Sequence, residues 1–141
     1  MARSRYVIEG PRWFRTEIRH KGPLYALVPP MVFGIIALGC INLFESQLTG
    51  VLGLVSAYFA APALPMVGAP FSGTGRHPLA IGISAVLWVL VGVIASRLST
   101  RHPMATWGDY WRTYAWLAAG IWLGTMVPMA VARFAIGGDL F

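Results

Sequence analysis

Residues 79–96, LAIGISAVLWVLVGVIAS, decide the fold, because they form a stretch of eighteen residues without a charge. As an α-helix this stretch would be about 27 Å long, close to the hydrocarbon thickness of a bilayer. Basic residues flank it on both sides: Arg76, His77, Arg97, Arg101 and His102. A helix of a soluble core does not need to be apolar on every face between basic ends, whereas a transmembrane helix does. The sequence therefore predicts an integral membrane protein.

The composition agrees with this prediction. Of the 141 residues, 57% are hydrophobic and 11% are charged, whereas about a quarter of a typical soluble domain is charged. The net charge of +6 comes from residues that flank apolar segments, where anionic lipid headgroups explain it better than nucleic acid does. We therefore expect contacts with anionic lipids and no nucleic-acid partner. The single cysteine, Cys40, cannot form an internal disulfide.

Residues 1–23 are predicted to form a basic cytoplasmic segment ahead of a single helical membrane domain over 24–141. The segment contains six basic residues: Arg3, Arg5, Arg12, Arg15, Arg19 and Lys21. Residues 11–20 have the pattern of a short amphipathic surface helix, which Gly22-Pro23 should end. Two interpretations stay open. In the first, the amphipathic helix binds the cytoplasmic headgroups or a partner protein. In the second, its charges only set the orientation of the protein in the membrane, and its amphipathicity is incidental.

Two further apolar stretches, 24–44 and 115–132, are predicted to be transmembrane helices. The first is expected to become regular at Pro29-Pro30, because a missing backbone N–H matters least at the start of a helix.

The apolar stretch 51–71 admits two interpretations. It is long enough to cross the membrane, but its second half contains Pro62, Pro65 and Pro70. The part without proline, 51–61, would cover only about 16 Å as a helix. It is either a kinked fourth span or a half-helix followed by irregular chain. In the second case protein must cover that chain, because unpaired backbone groups are costly in lipid.

The distribution of Lys and Arg favours three spans with the N-terminus in the cytoplasm. With three spans the cytoplasmic side collects nine basic residues, the six N-terminal ones with Arg97, Arg101 and Arg112; with four spans it collects eight. We therefore predict an all-α, multi-pass protein of the cell (inner or plasma) membrane, with three transmembrane helices plus a proline-broken apolar segment. The alternative is four transmembrane helices.

Small residues and aromatic residues mark two kinds of candidate contact. Small residues at four-residue spacing predict helix-packing faces, because they let backbones approach closely; these are Gly53, Ala57, Ala61, Gly92, Ser96, Gly120 and Gly124. Aromatic residues near span ends predict anchors in the headgroup zone; these are Trp13, Trp107, Tyr110 and Trp111. Asp109 and Arg112 are three residues apart and can pair on a helix, an exposed contact worth roughly 0–1 kcal/mol.

Catalytic, metal-binding and cofactor-binding residues are not predicted in this chain. No acidic residue, Lys or Arg falls in the interior of a predicted span, which argues against a pump or a proton-coupled carrier. His20, His77 and His102 lie in loops or at span edges, where they are poorly placed to ligate a haem at membrane depth. No HExxH motif, cysteine pair or Ser-His-Asp set occurs.

Three functions follow as hypotheses. The favoured one is a non-catalytic accessory subunit of a multi-subunit membrane complex, which stabilises assembly through helix packing and lipid contacts. The second is a small membrane enzyme or lipid-binding protein that uses the Arg-His-Pro sites at 76–78 and 101–103. The third is a homo-oligomeric channel, for which Ser56, Ser84 and Thr125 would be a sparse polar lining.

The block RHPMATWGDYWRTYAWLAAGIWLG at 101–124, with the basic N-terminus and the apolar spans, resembles the small accessory membrane subunits of actinobacterial cytochrome bcc–aa3 oxidase supercomplexes. The resemblance implies a role in the respiratory chain and its electron transport, with larger membrane subunits as partners. It also implies that haem, copper and quinone are held by those partners and that this chain binds no cofactor. It assigns no functional residue.

Overall fold

The computed structural model describes residues 10–43, 46–65, 75, 77–102 and 104–136, and within them it has five α-helices and no strand. In chain order the helices are α1 (Gly10–Tyr25), α2 (Val28–Leu43), α3 (Gln47–Ala60), α4 (His77–Ser99) and α5 (Trp107–Ile136). The prediction of an all-α chain is confirmed for this part of the protein. The stretch 79–96 lies within α4.

In the part of the chain that the structure describes, two helical stretches are long and apolar enough to cross a bilayer, judged by length and composition. One is Trp13–Asn42, in which α1 and α2 follow each other, and the other is α4; their mean hydropathies are 2.2 and 2.4. Both stretches support a membrane location. The predicted span 115–132 lies in α5, but the side chains of 128–130 are outside the described ones. The total of three spans therefore stays a prediction.

The junction of α1 and α2 is a two-residue turn that follows Tyr25. As predicted, regular helix resumes next to Pro29 and Pro30, which have no backbone N–H to leave unpaired. The predicted stop at Gly22-Pro23 is wrong, because α1 continues through Pro23. The helix thus crosses the boundary expected after residue 23. The first nine residues of the predicted N-terminal segment lie outside the described residues.

Helices α1, α4 and α5 pack together as a bundle, and α2 and α3 form a hairpin next to it. The core of the bundle consists of Ile18, Ala26, Trp88, Val91, Ala95, Tyr110, Tyr114 and Ala118. Because Ile18 is fully buried in this core, the apolar face of the N-terminal helix is covered by protein at this position rather than by lipid headgroups.

Helix α3 is too short to cross a bilayer by itself. It ends at Ala60, and residues 61–65 continue as turns. Its 14 residues cover about 21 Å, less than the ~30 Å of a bilayer core. Because 66–74 lie outside the described residues, the half-helix interpretation of 51–71 stays a prediction.

Helix α5 begins with a capping box formed by Thr106 and Asp109. The Asp109 carboxylate accepts hydrogen bonds from the backbone N–H and the hydroxyl of Thr106, both at 2.9 Å. In return, Thr106 Oγ1 accepts from the Asp109 N–H at 3.4 Å. The carboxylate is therefore bonded to Thr106, where a pair with Arg112 was expected. These hydrogen bonds lower the pKa of Asp109, and the nearby Arg112 and His102 act in the same direction.

The capping box makes the start of α5 sensitive to acid. Because the pKa of Asp109 is lowered on folding, its stabilising effect is present above the ordinary aspartate pKa of about 4 and is lost as the pH falls through the lower folded value. We expect the stability difference between wild type and Asp109→Asn to shrink as the pH is lowered from 6 to 3. Unfolding in detergent at each pH measures this difference. A difference that does not change with pH would contradict the prediction.

Candidate functional site

The crossing of α1 and α4 leaves no room for a side chain at Gly92. A Cβ atom at Gly92 would lie 2.6 Å from the Cβ of Ala26 and 2.8 Å from the Cα of Pro23. On α1, a Cβ at Gly22 would lie 3.0 Å from a ring carbon of Tyr110. Glycine on each helix thus lets the two backbones approach and lets α5 close over them.

Two buried tyrosines of α5 donate hydrogen bonds to backbone carbonyls at this crossing. The Tyr114 hydroxyl donates to the Ala26 oxygen at 2.9 Å, and the Tyr110 hydroxyl donates to the Gly22 oxygen at 2.5 Å. In an unbroken helix the Ala26 carbonyl would accept from the N–H of residue 30, but Pro30 has none. Tyr114 therefore supplies the donor that the double proline removes.

A double-mutant cycle tests this substitution of donors. We expect Tyr114→Phe to lower the free energy of unfolding by about 1–3 kcal/mol, because the buried Ala26 carbonyl loses its donor. Pro30→Ala restores a backbone N–H at the position that normally serves this carbonyl, so Tyr114→Phe should cost less in that background. Denaturant unfolding in detergent of the four proteins gives the coupling. Equal costs in the two backgrounds would refute the pairing.

Side chains of α4 and α5 cover the C-terminal end of α3. The Trp88 indole N–H donates to the Ala60 oxygen at 2.9 Å, and the Trp122 indole N–H donates to the Phe59 oxygen at 3.4 Å. Both carbonyls belong to the last four of the helix, which have no partner inside it. The helix can therefore end in an apolar environment without leaving these two groups unpaired.

The chain turns after α3. Ala60 lies beside Trp88 of α4, whereas the backbone N–H of Ala63 donates to Ser84 Oγ at 3.1 Å, one turn nearer the start of α4. Between Ala60 and Ala63 the chain therefore shifts by about one helical turn toward the start of α4.

The predicted packing residues of α3 lie on two surfaces. Gly53 packs against α2, since a Cβ there would lie 2.9 Å from Cγ1 of Ile41. Ala57 and Ala61, further along the chain, line the groove between the hairpin and α4, and Ala61 is buried.

The predicted packing residues of α4 and α5 differ in their surroundings. Gly92 and Ser96 face α1, where the Cβ of Ser96 lies 3.2 Å from the position of a Cβ at Gly22. Gly120 and Gly124 face away from the bundle, and no described atom lies within 4 Å of a Cβ on either.

The predicted interfacial aromatic residues differ in how far they are exposed. Trp13 and Trp111 are exposed, at 41% and 38%. Trp107 is half-buried, with its ring 5.4 Å from that of Tyr25 in an edge-to-face arrangement. Tyr110 is instead fully buried. Its hydroxyl donates a hydrogen bond to the Gly22 carbonyl of α1, so this ring packs inside the protein.

An apolar groove with a volume of about 400 Å³ separates the α2–α3 hairpin from α4. On α2 its lining extends from Leu27 to Ile41, and on α4 it comprises Ile81, Ala85 and Trp88. Every described side chain of the lining is apolar except for the indole N–H of Trp88, which donates a hydrogen bond to α3. The groove therefore offers contacts to hydrocarbon.

Basic side chains collect where the end of α4 meets α1 and the start of α5. Arg97 and Arg101 are exposed there, and Arg19 Nε donates to Thr100 Oγ1 at 3.1 Å. The second Arg-His-Pro site lies in this region, and its His102 is exposed. Such a surface suits anionic headgroups.

The first Arg-His-Pro site is only partly described, because Arg76 lies outside the described residues. His77 starts α4, and its Nε2 atom is buried without a hydrogen-bond partner in the described part of the chain. Among the described residues, no three His, Cys, Asp or Glu side chains are grouped in a way that could hold a metal ion.

Comparisons of the chain with protein-family models, with curated proteins and with solved structures found no match. The resemblance to oxidase accessory subunits thus stays an expectation.

Sequence reasoning missed the side chains that pair the interrupted backbone, above all Trp88 and Tyr114. One signal was present: Pro29-Pro30 must leave carbonyls without donors one turn earlier, so a donor is needed from elsewhere. The sequence does not show which of its many aromatic residues supplies it, because that depends on how the helices pack.

Proposed function

We propose that the chain is a non-catalytic accessory subunit of a multi-subunit membrane complex, which it stabilises through helix packing and lipid contacts. The outer face of α5 carries this proposal. Trp116 and Leu123 on this face are 75% and 64% exposed, and Gly120 and Gly124 beside them have open space around them. A helix of another subunit can approach the α5 backbone closely at the two glycines and bury the tryptophan, a residue type common among interface anchors.

The interior of the protein supports a structural role. Five side chains form hydrogen bonds with backbone groups of neighbouring segments: Tyr110, Tyr114, Trp88, Trp122 and Ser84. These bonds hold the broken helices in one arrangement. A fixed arrangement of this kind keeps the outer face of α5 in a constant position for a partner.

The topology that we propose has three spans, the N-terminus in the cytoplasm of a cell (inner or plasma) membrane, and α3 as a re-entrant segment. The basic residues at the meeting of α1, α4 and α5 would then face the cytoplasmic leaflet, in agreement with the positive-inside rule. Following the sequence resemblance, the host is a respiratory oxidase complex whose other subunits hold haem and copper.

Purification of the tagged protein from its native membrane in mild detergent tests this function. Larger membrane subunits should co-purify in fixed ratio, and the sample should show haem absorption bands. Partners without haem would retain the accessory role and refute the respiratory assignment. A clean monomer or homo-oligomer would refute the accessory role itself.

Substitutions on α5 test the docking face directly. Gly120→Leu with Gly124→Leu should lower recovery of the partner subunits about tenfold or more, because the added side chains keep the partner backbone away. Gly82→Leu is the matched control, since Gly82 is also a helical, exposed glycine with no described atom within 4 Å of a Cβ. Equal recovery from all three proteins would contradict the assignment of this face.

A further inference from the structure

We propose that the first half of α1 projects from the membrane on the basic side of the protein and binds an acidic protein surface with an apolar pocket, through Trp13, Phe14 and the arginines near them. The inference rests on the membrane location in the proposed function. It adds a second contact with the complex, separate from the outer face of α5. Headgroups and a partner protein are both open as contacts of this helix from the sequence alone, and the packing of α1 favours the protein.

Helix α1 runs antiparallel to α4 and continues past its end. Three pairs of neighbours at successive levels define this arrangement: Ala26 with Gly92, Gly22 with Ser96, and Arg19 with Thr100. The two helices thus stay together over about 10 Å, the rise of the chain from Arg19 to Ala26. Since α4 ends at Ser99 and α1 begins at Gly10, the part of α1 before Arg19 extends about 13 Å beyond the end of α4.

The start of α1 lies further from the hydrocarbon than the headgroups extend. The uncharged stretch of α4 ends at Ser96, which is level with Gly22 of α1. From Gly22 back to Trp13 the helix rises about 13 Å, whereas the headgroups add only about 5–8 Å to each side of the hydrocarbon core. At a tilt of about 40°, the upper end of the usual range, the height is still about 10 Å. The helix therefore points away from the bilayer instead of lying on it.

Two adjacent aromatic side chains are exposed on the projecting part of α1. Trp13 and Phe14 are 41% and 37% exposed, and their rings pack edge to face at 5.1 Å. Ile18, one turn further along, is fully buried in the bundle, so protein contacts fix the helix just below this pair. Large aromatic rings supply much of the buried area at protein interfaces, and tryptophan is enriched among the residues that contribute most to binding. The pair thus requires an apolar pocket in the partner.

The charge near this pair is positive. Exposed basic side chains lie where α1 passes the end of α4: Arg19, Arg97 and Arg101. The acidic groups that the structure describes at this end are already bonded, Glu17 to Lys21 at 2.7 Å and Asp109 to Thr106 at 2.9 Å. They leave the basic groups free to attract and align an acidic surface. The partner is therefore acidic around its pocket.

Spin labelling tests the height of the helix. Phe14→Cys in a Cys40→Ser background is labelled with a nitroxide and reconstituted in phosphatidylcholine vesicles with and without phosphatidylglycerol. We expect the label to collide with a water-soluble nickel complex more than with oxygen in both kinds of vesicle. Val32→Cys is the control, because Val32 is exposed on α2 within the span, and it should show the reverse. A label at position 14 that lies in the headgroups would overturn the projection.

Cross-linking from the same position tests the partner. Photo-reactive p-benzoylphenylalanine replaces Phe14 in the native membrane, and mass spectrometry identifies the cross-linked peptide in the purified complex. We expect a peptide rich in Asp and Glu from a water-facing part of a co-purifying subunit. Trp13→Ala, and separately Arg97→Glu with Arg101→Glu, should each lower the yield about tenfold or more. Gln47→Glu is the matched control and should leave the yield unchanged, because Gln47 is exposed at the start of α3, at the opposite end of the protein.

The outcomes distinguish this proposal from the proposed function. A cross-link only to lipid or nucleic acid, or a yield that the charge reversal leaves unchanged, overturns the acidic partner. Subunits that co-purify without a cross-link from position 14 refute this surface and leave the accessory role in place. A charge-dependent cross-link to an acidic peptide in the absence of co-purifying membrane subunits does the reverse. Circular dichroism verifies that each variant remains helical, so that a lower yield reports a lost contact.

Discussion

Gly92→Leu is expected to separate α1 from α4 and to abolish the stable fold. Even the first atom of a side chain at this position would lie 2.6 Å from the Cβ of Ala26 and 2.8 Å from the Cα of Pro23. The second of these neighbours is backbone and cannot rotate away, so the helices must move apart. Gly92→Ala alone should cost about 1–3 kcal/mol, in the range of overpacked cores, and leucine should exceed this.

The measurement is thermal unfolding in detergent, together with the yield of folded protein. Gly82→Ala and Gly82→Leu are the controls, since Gly82 lies in the same helix with open space where a Cβ would be. They should be neutral or slightly stabilising, because glycine is a poor helix former. If substitutions at Gly92 and Gly82 were equally harmful, the close crossing would not be the cause.

Trp88→Ala should lower the free energy of unfolding by about 3–5 kcal/mol, the usual range for a buried tryptophan. Trp88 is 1% exposed and its ring lies 5.9 Å from that of Tyr114 and 6.1 Å from that of Trp122. It also donates to the Ala60 carbonyl at the end of α3. The substitution thus opens a cavity in the bundle and releases the half-helix at the same time.

Hydrogen–deuterium exchange distinguishes these two effects. Trp88→Phe retains most of the ring but removes the N–H, so exchange should rise selectively over residues 57–65, while the rest of the protein changes little. Trp116→Ala is the control for loss of a tryptophan, because Trp116 is 75% exposed; it should alter stability by less than about 0.5 kcal/mol. Unchanged exchange over 57–65 in Trp88→Phe would contradict the role of the indole N–H.

The helices that depend on local composition could be predicted from the sequence. The stretch 79–96 lies within α4, regular helix resumes at Pro29-Pro30 after the turn, and α3 ends before Pro62. Each of these follows from apolar length or from the missing N–H of proline, which are properties of the chain itself. The spacing of Thr106 and Asp109 is also a sequence signal for a helix start, and the same Asp109 has the spacing for an ion pair with Arg112.

The features that depend on packing could not be predicted. Gly22-Pro23 has the composition of a helix stop, yet α1 continues there, where α4 approaches at Gly92; tertiary contacts supply most of the stability of such a helix. Tyr110 has the side chain and the sequence position of a headgroup anchor. Its hydroxyl nevertheless donates a hydrogen bond to a carbonyl 88 residues away in the chain. For the same reason, nothing in the sequence indicated the groove, because its walls come from segments far apart in the chain.

The hydrogen bonds from α5 have a consequence for biogenesis. The chain is synthesised from the N-terminus, so the carbonyls of Ala26 and Phe59 exist long before their donors, Tyr114 and Trp122, have left the ribosome. Until α5 has been made, these two carbonyls have no side-chain donor and must accept hydrogen bonds from water or from other proteins. Helix α5 thus completes the pairing of segments that are made before it, and a protein interrupted before residue 107 would lack both donors.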